Sequence, residues 1–504
     1  MTFDLNKLNS TQKKLVLLLV GIFANLAFAP FEFFPALLVS FPIFLLILES
    51  AITRKQSFWF GWCFGFGHFL AGFYWISNSL LVDADKFAWL IPFAAAGIPS
   101  VLAIYIGLAG LAFRSITKRW QFSRLTKIII FINLWLLTEF ARNYLFTGFP
   151  WNLLGYTLLF NLPLAQIAAL GGVFLASWVA LLFAFAPLIF TNKKAFIALI
   201  LLAIITYAWG ANRMENSAMQ PINKTVKLIQ PNTKQTLSWD AAIARKNFQN
   251  SIDLMKTGAA ADYYIWAEAT GIYHLNRSDE AVAAIQAATP DGALAIVGAD
   301  RSVGDSLANY QAWNSMYVIS PRGIAAVYDK QHLVPFGEYV PFSEILPLEM
   351  ITGGLVNFSS GAGERHIDIS GLNALPLICY EAIFTDYIFS TRAKVERPNF
   401  IINITNDAWF GDSTGPYQHL AMTKMRAIEA GLPVLRTGKT GISAVIDSFG
   451  RIINNLGLNQ RGAVFSDIPD RLENPSPYAN YHLFLIIMIL ISSSIIITFL
   501  KKRV

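Results

Sequence analysis

Cysteine is almost absent from this chain, which has only Cys63 and Cys379 in 504 residues. Cys63 lies in a hydrophobic segment, and Cys379 closes an apolar, strand-like run, Ala374-Leu-Pro-Leu-Ile-Cys-Tyr-Glu381. The more polar part of the chain therefore has a single thiol and cannot form an internal disulfide. Cys379 is then either a buried structural thiol or a reactive one.

Charged residues are also scarce, at 14%, whereas hydrophobic residues make up 55% of the sequence. This composition excludes an ordinary soluble protein of this length. The apolar residues gather in long runs, and several of these approach the ~20 residues that cross a bilayer. The sequence predicts eight transmembrane helices, at 15–30, 35–48, 58–81, 88–113, 128–146, 164–190, 195–210 and 483–500.

Basic residues are nearly missing from alternate loops between these runs. The N-terminus, the loops at 54–55, 114–127 and 193–194, and the C-terminal tail hold fifteen Lys and Arg, whereas the opposite short loops hold only Lys86 and Arg142. Because basic loops stay in the cytoplasm, both termini should be cytoplasmic. We therefore expect a seven-helix bundle at 1–210, an extracytoplasmic domain at 211–481, and a last helix with a basic tail at 482–504.

The net charge of +7 does not indicate nucleic-acid binding, because residues 211–481 hold 22 Lys and Arg against 26 Asp and Glu. Short β-rich runs alternate with helical patterns in this domain, which predicts an α/β sandwich with a site at its strand ends. The expected strands are 225–229, 263–266, 294–298, 315–319, 375–379, 400–405 and 444–447, and the expected helices are 240–255, 279–288 and 416–430.

Three chemically useful side chains each follow an apolar run: Glu268 after Tyr263-Tyr-Ile-Trp266, Lys330 after Ile324-Ala-Ala-Val-Tyr-Asp329, and Cys379 after its own run. We expect them to converge at one end of a sheet as base, charge stabiliser and nucleophile. The alternative is a Cys–His protease that uses His332 or His419. Neither histidine ends an apolar strand as Glu268 does, and no cluster has metal-ligand spacing.

The domain contains Trp266-Ala-Glu268, Tyr328-Asp-Lys-Gln-His-Leu-Val-Pro-Phe-Gly-Glu338, Ile378-Cys-Tyr-Glu381 and Asn406-Asp-Ala-Trp-Phe-Gly-Asp412, in this order. These motifs resemble those of the carbon–nitrogen hydrolase (nitrilase) superfamily. A nitrilase-like domain before the last of eight spans, together with Thr147-Gly-Phe-Pro-Trp151, is similar more narrowly to the bacterial apolipoprotein N-acyltransferase family. Two positions depart from that pattern: Ala267 stands where proline is usual, and Gly438-Lys-Thr440 stands where asparagines are expected.

The resemblance implies a nitrilase-like αββα sandwich and an acyl transfer without a cofactor. Cys379 would form a thioester, Glu268 would take and return its proton, and Lys330 would stabilise the oxyanion. The supporting residues would be Glu338, Tyr380 and Glu381. For Glu381, a purely structural role is an equal alternative. The acyl donor would be a membrane phospholipid, usually phosphatidylethanolamine. The acceptor would be a diacylglyceryl-modified apolipoprotein at the periplasmic face of the bacterial inner membrane.

Aromatic and apolar loop residues are candidates for lipid contact. They are Phe149 and Trp151 in a loop between two spans, and Trp239, Phe342, Leu346, Phe358, Trp409 and Phe410 in the domain. The stretch 345–358, with Gly353-Gly354 as a hinge, is expected to form a lid that dips into the membrane. The alternative for each aromatic residue is ordinary core packing.

Two other functions fit parts of this pattern. In a membrane-tethered amidase or nitrilase, water rather than an amine would resolve the acyl-enzyme, but such an enzyme has little use for eight spans. In a transporter or receptor, the domain would be catalytically inactive. Intact Glu268, Lys330 and Cys379 argue against that, as does the scarcity of ionisable residues in the spans.

Overall fold

The computed structural model describes residues 7–235, 240–270, 274–306, 309–341, 357–363, 365–386 and 397–482. Within these ranges the chain divides into two compact units. The first contains the chain up to Ser77 and Trp89–Ser217, and the second contains Asn78–Ala88 and Ala218–Ala479. The side-chain amide of Asn78 donates a hydrogen bond to the Phe410 carbonyl oxygen at 2.7 Å, which ties the short segment to the second unit.

Residues 7–217 are mainly helical, as their apolar composition predicts. The helices are α1 (Ser10–Ala24), α2 (Pro35–Glu49), α3 (Arg54–Phe73), α4 (Ser77–Leu80), α5 (Ala84–Phe87), α6 (Ile98–Thr117), α7 (Arg124–Tyr144), α8 (Leu162–Ala165), α9 (Ala168–Ala184), α10 (Ala186–Ile189) and α11 (Lys193–Asn216). Side-chain hydrogen bonds cap the N-termini of several helices. Asn9 and Gln12 form a reciprocal capping box on α1, and Ser123 caps α7.

Glycine lets the helices of the first unit approach closely. A Cβ atom at Gly67 of α3 would lie 2.2 Å from the Leu18 carbonyl oxygen of α1, and one at Gly61 would lie 2.4 Å from that of Ile106 in α6. Because such contacts are too short for a real Cβ atom, the helix backbones can approach this closely only at glycine. The packing of α3 between α1 and α6 therefore depends on its glycines.

The predicted spans that fall in residues 7–217 lie in helical regions, although the span predicted at 164–190 is divided among α8, α9 and α10. Among the described residues, the helical runs Ser10–Ala27, Ala84–Thr117 and Lys193–Asn216 are long and apolar enough to cross a membrane. Pro35–Glu49 and Ala168–Ala184 are apolar but shorter. The eighth predicted span, 483–500, lies outside the described residues, so the count of eight stays a prediction.

The second unit contains two large sheets and three longer helices among its described residues. The helices are α12 (Ala241–Met255), α13 (Asp279–Ala288) and α14 (Gly415–Ala430). The strands are β1 (Met219–Gln220), β2 (Thr225–Gln230), β3 (Tyr263–Trp266), β4 (Leu294–Val303), β5 (Gln311–Ser320), β6 (Gly323–Asp329), β7 (Ile367–Ile369), β8 (Leu372–Ile378), β9 (Phe400–Thr405), β10 (Val434–Gly438), β11 (Ser443–Ile446), β12 (Ile452–Leu456), β13 (Gly462–Asp467) and β14 (Arg471–Leu472).

The two sheets pack face to face, and helices cover their outer faces. Their described strand orders are β13-β2-β3-β4-β5-β6 and β12-β11-β10-β9-β8-β7. The core between them takes side chains from both sheets, such as Ile265 of β3 and Ile404 of β9. Helices α12 and α13 pack on the first sheet, and α14 packs on the second. This arrangement confirms the predicted αββα sandwich.

The ends of the parallel strands bring the polar motifs together. Strands β2, β3 and β4 run parallel to one another, as do β8, β9 and β10. Glu268 follows β3 at the edge of one sheet, and Cys379 and Asn406 follow β8 and β9 in the other. Because polar side chains just beyond buried parallel strands collect at one edge, the sandwich has a polar site between its sheets.

Candidate active site

Glu268 lies in this polar site, and both of its carboxylate oxygens accept hydrogen bonds. Its Oε1 atom accepts a hydrogen bond from Asn314 Nδ2 at 2.7 Å and lies 3.5 Å from Lys330 Nζ. Its Oε2 atom accepts a hydrogen bond from the backbone N–H of Asn406 at 2.7 Å. The residue is only 5% exposed, so burial strengthens each of these interactions. Groups from both sheets therefore orient the carboxylate.

Lys330 follows β6 and sits between two carboxylates. Its Nζ donates a hydrogen bond to Glu338 Oε1 at 2.9 Å and lies 3.5 Å from Glu268. Burial alone would favour the neutral amine, but Glu338, Glu268 and Cys379 outweigh it and raise the pKa of Lys330 above its ordinary value. The geometry therefore keeps a buried cation at the centre of the site.

Asn314, in the middle of β5, was not among the predicted site residues. Its Nδ2 donates to Glu268 Oε1 at 2.7 Å and to Glu338 Oε1 at 2.8 Å. The Lys330 backbone N–H also donates to the Asn314 carbonyl oxygen at 2.8 Å. Asn314 thus links the three charged residues. Its position inside a strand gave no sign of this role, because the role depends on contacts with residues distant in the sequence.

Cys379 occupies a turn directly after β8 with a φ of +49°, in the left-handed region that side chains rarely adopt. Burial and the Glu268 carboxylate raise the pKa of its thiol above the ordinary value, and Lys330 opposes them only in part. The thiol is therefore protonated at neutral pH. It lies close enough to Glu268 and Lys330 for both charges to act on it.

Glu381 fixes the turn that carries Cys379. Its Oε2 accepts the backbone N–H of Ile378 at 2.8 Å, and its Oε1 accepts the Tyr328 hydroxyl at 2.9 Å and the backbone N–H of Gln331 at 2.8 Å. One buried carboxylate thus joins the turn after β8 to the segment that follows Lys330. Burial raises the pKa of Glu381. Glu381 therefore joins these two segments, and its supporting role in the site stays a prediction.

Tyr380 and His332 form an aromatic group beside the same turn. The Tyr380 ring lies 5.5 Å from the His332 ring and 5.2 Å from the Phe384 ring, measured between centroids. His332 also stacks on Phe384 with centroids 4.1 Å apart. Tyr380 is only 8% exposed, so it packs beside Cys379 as a wall of the site.

A second buried network lies behind Cys379. His419 of α14 contacts the Cys379 carbonyl oxygen through Nε2 at 3.2 Å and Asp407 Oδ1 through Nδ1 at 2.8 Å. Arg436 Nη2 donates to Asp407 Oδ2 at 2.6 Å. Although burial opposes its ionisation, Arg436 and His419 lower the pKa of Asp407 to about 2. These contacts hold the backbone of the cysteine turn from the side of α14.

The residues predicted to contact lipid lie in different places. Trp239, Phe342 and Leu346, with most of the predicted lid, fall outside the described residues. Phe358, at the end of that stretch, is half-buried, and its N–H donates to the Glu338 carbonyl oxygen at 2.8 Å. The backbone of the last lid residue is therefore tied to the residue that holds Lys330.

The remaining lipid candidates take part in local packing. Trp409 and Phe410 are half-buried, and the Phe410 ring lies 5.8 Å from the His419 ring. Phe149 and Trp151 belong to the first unit, where their rings stack 6.0 Å apart. Trp151 is 1% exposed and also packs on Trp75. The predicted contact of these residues with lipid stays a prediction.

A thiol, a carboxylate and a buried ammonium group that act on one another can carry out acyl transfer. The thiol can attack a carbonyl carbon, the carboxylate can take its proton, and the cation can stabilise the resulting oxyanion. These groups meet between the sheets of an αββα sandwich, which defines the carbon–nitrogen hydrolase class. The family model described as Carbon-nitrogen hydrolase matches residues 225–474 of the chain.

The first unit also matches a family model, described as Apolipoprotein N-acyltransferase N-terminal domain, over residues 20–186. The apolipoprotein N-acyltransferase of Brucella melitensis is 35% identical over 490 residues, covering 92% of this chain and 91% of that protein. That of Rickettsia prowazekii is 35% identical and covers 95% of this chain and 97% of its own length. That of Allorhizobium ampelinum is 37% identical, with coverage of 90% and 89%. The chain belongs to the apolipoprotein N-acyltransferase family.

Proposed function

We propose that this protein transfers an acyl chain from a membrane phospholipid to the N-terminal amine of a diacylglyceryl-modified apolipoprotein, through a thioester on Cys379. The observation that carries the proposal is the meeting of Glu268 and Lys330, 3.5 Å apart, beside a buried thiol whose pKa both of them affect. Membership of the apolipoprotein N-acyltransferase family supports the choice of substrates.

In the first half-reaction the Cys379 sulfur attacks the ester carbonyl carbon of the phospholipid. Because burial and Glu268 raise the pKa of the thiol, sulfur must lose its proton as it attacks, and Glu268 accepts that proton. The ester C–O bond then breaks, and Glu268 returns the proton to the departing oxygen. The products are a thioester on Cys379 and a lysophospholipid.

Lys330 stabilises the negative charge that develops on the carbonyl oxygen. Its raised pKa keeps the ammonium group charged throughout the neutral range. A fixed cation in a buried site stabilises an oxyanion much more than a cation in water does. Glu338, 2.9 Å from Nζ, holds the ammonium group in place without removing its charge.

In the second half-reaction the amine of the apolipoprotein attacks the thioester. Glu268 accepts a proton from the amine nitrogen, the C–S bond breaks, and the sulfur of Cys379 recovers a proton. The product is an amide on the lipoprotein. A dry pocket is required, because water that reached the thioester would release a free fatty acid instead.

The membrane arrangement is part of the proposal. Seven spans in residues 1–210 and one in 482–504 would anchor a catalytic domain of 211–481 on the periplasmic face of the bacterial inner membrane. Both termini would then be cytoplasmic. Phosphatidylethanolamine is the proposed acyl donor, and the lid at 345–358 with the aromatic loop residues would cover the acyl chain. The asymmetry of basic residues between loops supports this orientation.

Intact mass of the full-length protein tests the first half-reaction. After incubation in nanodiscs that contain phosphatidylethanolamine, the native protein should gain the mass of one acyl chain. Cys379→Ala should gain nothing, because the attacking atom is missing, whereas Cys63→Ser should gain the chain normally. An acyl adduct on the Cys379→Ala protein, or its absence from the native protein, would contradict the proposal.

A synthetic diacylglyceryl-cysteine peptide tests the second half-reaction. Added to the acyl-enzyme, it should discharge the thioester and become N-acylated. Release of free fatty acid at the same rate with and without peptide would identify the protein as a hydrolase. This outcome would support the amidase or nitrilase alternative.

Changes at the two partners of Cys379 test their roles. Glu268→Gln removes the base, and Lys330→Met removes the cation, each with little change of volume. Each variant should lower the rate of adduct formation by about 100-fold or more. Normal adduct formation by either variant would remove that residue from the first half-reaction.

A further inference from the structure

Lys439 is a second lysine near Glu268 that the proposed reaction does not use. It comes directly after β10, and its backbone is fixed on both sides. Its N–H donates to the Thr405 carbonyl oxygen at 3.0 Å, and its carbonyl oxygen accepts the N–H of Asn232 at 3.0 Å. The side chain is half-buried, and Nζ donates to Gln235 Oε1 at 3.3 Å. The position of the ammonium group is therefore determined by the fold.

A short chain of hydrogen bonds connects this lysine to Glu268. Gln235 Oε1, which accepts from Lys439, also accepts from Asn406 Nδ2 at 2.8 Å. The backbone N–H of the same Asn406 donates to Glu268 Oε2 at 2.7 Å. Lys330 acts on the other carboxylate oxygen, Oε1, at 3.5 Å. Each oxygen of Glu268 is thus associated with a different lysine: Oε1 directly with Lys330, and Oε2 with Lys439 through the Gln235 side chain and the side chain and backbone of Asn406.

Carboxylates near Lys439 favour its charged form. Burial lowers the pKa of Lys439 to about 8, whereas Glu268 and Asp300 oppose this shift.

We infer that Lys439 is a positioning residue for Glu268: it holds Gln235, and through Gln235 it holds Asn406, whose backbone N–H contacts the carboxylate. The inference rests on the proposed function, since it assumes that Glu268 takes the proton of Cys379. Without the Lys439 side chain, the Gln235 oxygen loses a charged donor, and the side chain of Asn406 loses its fixed partner. Glu268 would then be held less firmly in its position.

The test is the rate of acyl-adduct formation by the full-length protein in nanodiscs with a range of phosphatidylethanolamine fractions. Lys439→Met should lower the maximal rate by about tenfold and leave the phospholipid fraction at half-maximal rate unchanged, because the base is misplaced while the substrate site is intact. Lys439→Arg, which keeps the charged donor, should restore most of the rate. Gln235→Leu should lower the rate to a similar extent, and the double variant Gln235→Leu/Lys439→Met should be no slower than either single variant, because both changes break the same chain of contacts.

The outcomes separate this inference from the proposed function. If the native protein forms no adduct, the proposed function fails. If it forms adduct and Lys439→Met keeps the native maximal rate, only the inference fails. A Lys439→Met variant that needs more phospholipid but keeps its maximal rate would also overturn the inference, because the lysine would then contact the substrate. An equal fall in rate for Lys439→Met and Lys439→Arg would indicate a purely structural residue and overturn it as well.

Discussion

The side-chain amide of Asn314 lies between the carboxylates of Glu268 and Glu338 and donates to both, at 2.7 and 2.8 Å. Two buried carboxylates that share one lysine would repel each other without such a donor. One amide can serve both because its nitrogen carries two hydrogens. Asn314 therefore holds Glu338 on Lys330 and Glu268 beside the same lysine.

Asn314→Leu should lower the rate of acyl-adduct formation by roughly 10- to 100-fold, because two hydrogen bonds to charged groups are lost at similar side-chain volume. The rate is measured by intact mass, as for the native protein. Asn454→Leu is the control, because Asn454 is an exposed strand residue whose side-chain amide donates to the Phe465 carbonyl oxygen at 3.0 Å, away from the site. Equal rates for the two variants would show that the amide between the carboxylates has no part in catalysis.

At the scale of the strands, Gly298 of β4 determines how closely Glu268 approaches the sheet. A Cβ atom at this position would lie 2.5 Å from the Ala267 carbonyl oxygen and 2.8 Å from the Glu268 Cα atom. The Thr270 N–H also donates to the Gly298 carbonyl oxygen at 3.1 Å. The segment that carries the base therefore rests directly on the backbone of the neighbouring strand.

Gly298→Ala should displace Glu268 and lower the rate of adduct formation by at least about tenfold, because a small misplacement of a catalytic group is costly. Gly462→Ala in β13 is the matched control. Its Cβ would meet only the Leu456 side chain, at 3.3 Å. Native activity in Gly298→Ala would mean that the strand end can shift without harm to the site.

Most of the strands that build the site could be predicted from the sequence, because each is a short apolar run that ends at a polar residue. This pattern located Glu268, Lys330 and Cys379. It missed β1, β7, β10, β12, β13 and β14, which are short or contain polar residues. It also missed Asn314 and Gly298, since their roles depend on contacts between neighbouring strands that leave no periodic signal.

At the scale of the whole molecule, the sidedness of the membrane helices decides which substrates the site can meet. A phosphatase reporter that is active only outside the cytoplasm should be active when fused after Gly210 and inactive when fused after Lys194. The expectation follows from the basic residues of the loops, which predict that residues 193–194 lie in the cytoplasm. The reverse pattern would invert the orientation and separate the site from lipoproteins that mature at the outer face.

The strand pairings at the two ends of the second unit also govern how it can fold during synthesis. β2, at its beginning, pairs with β13, near its end, with Thr225 opposite Asp467. β1 likewise pairs with β14, with Met219 opposite Leu472. At roughly 5–20 residues per second, a ribosome takes about 10 to 50 seconds to produce the chain between such partners. The edge of β2 that pairs with β13 therefore has no partner strand during that time. The first sheet is complete only when translation of the unit is almost finished.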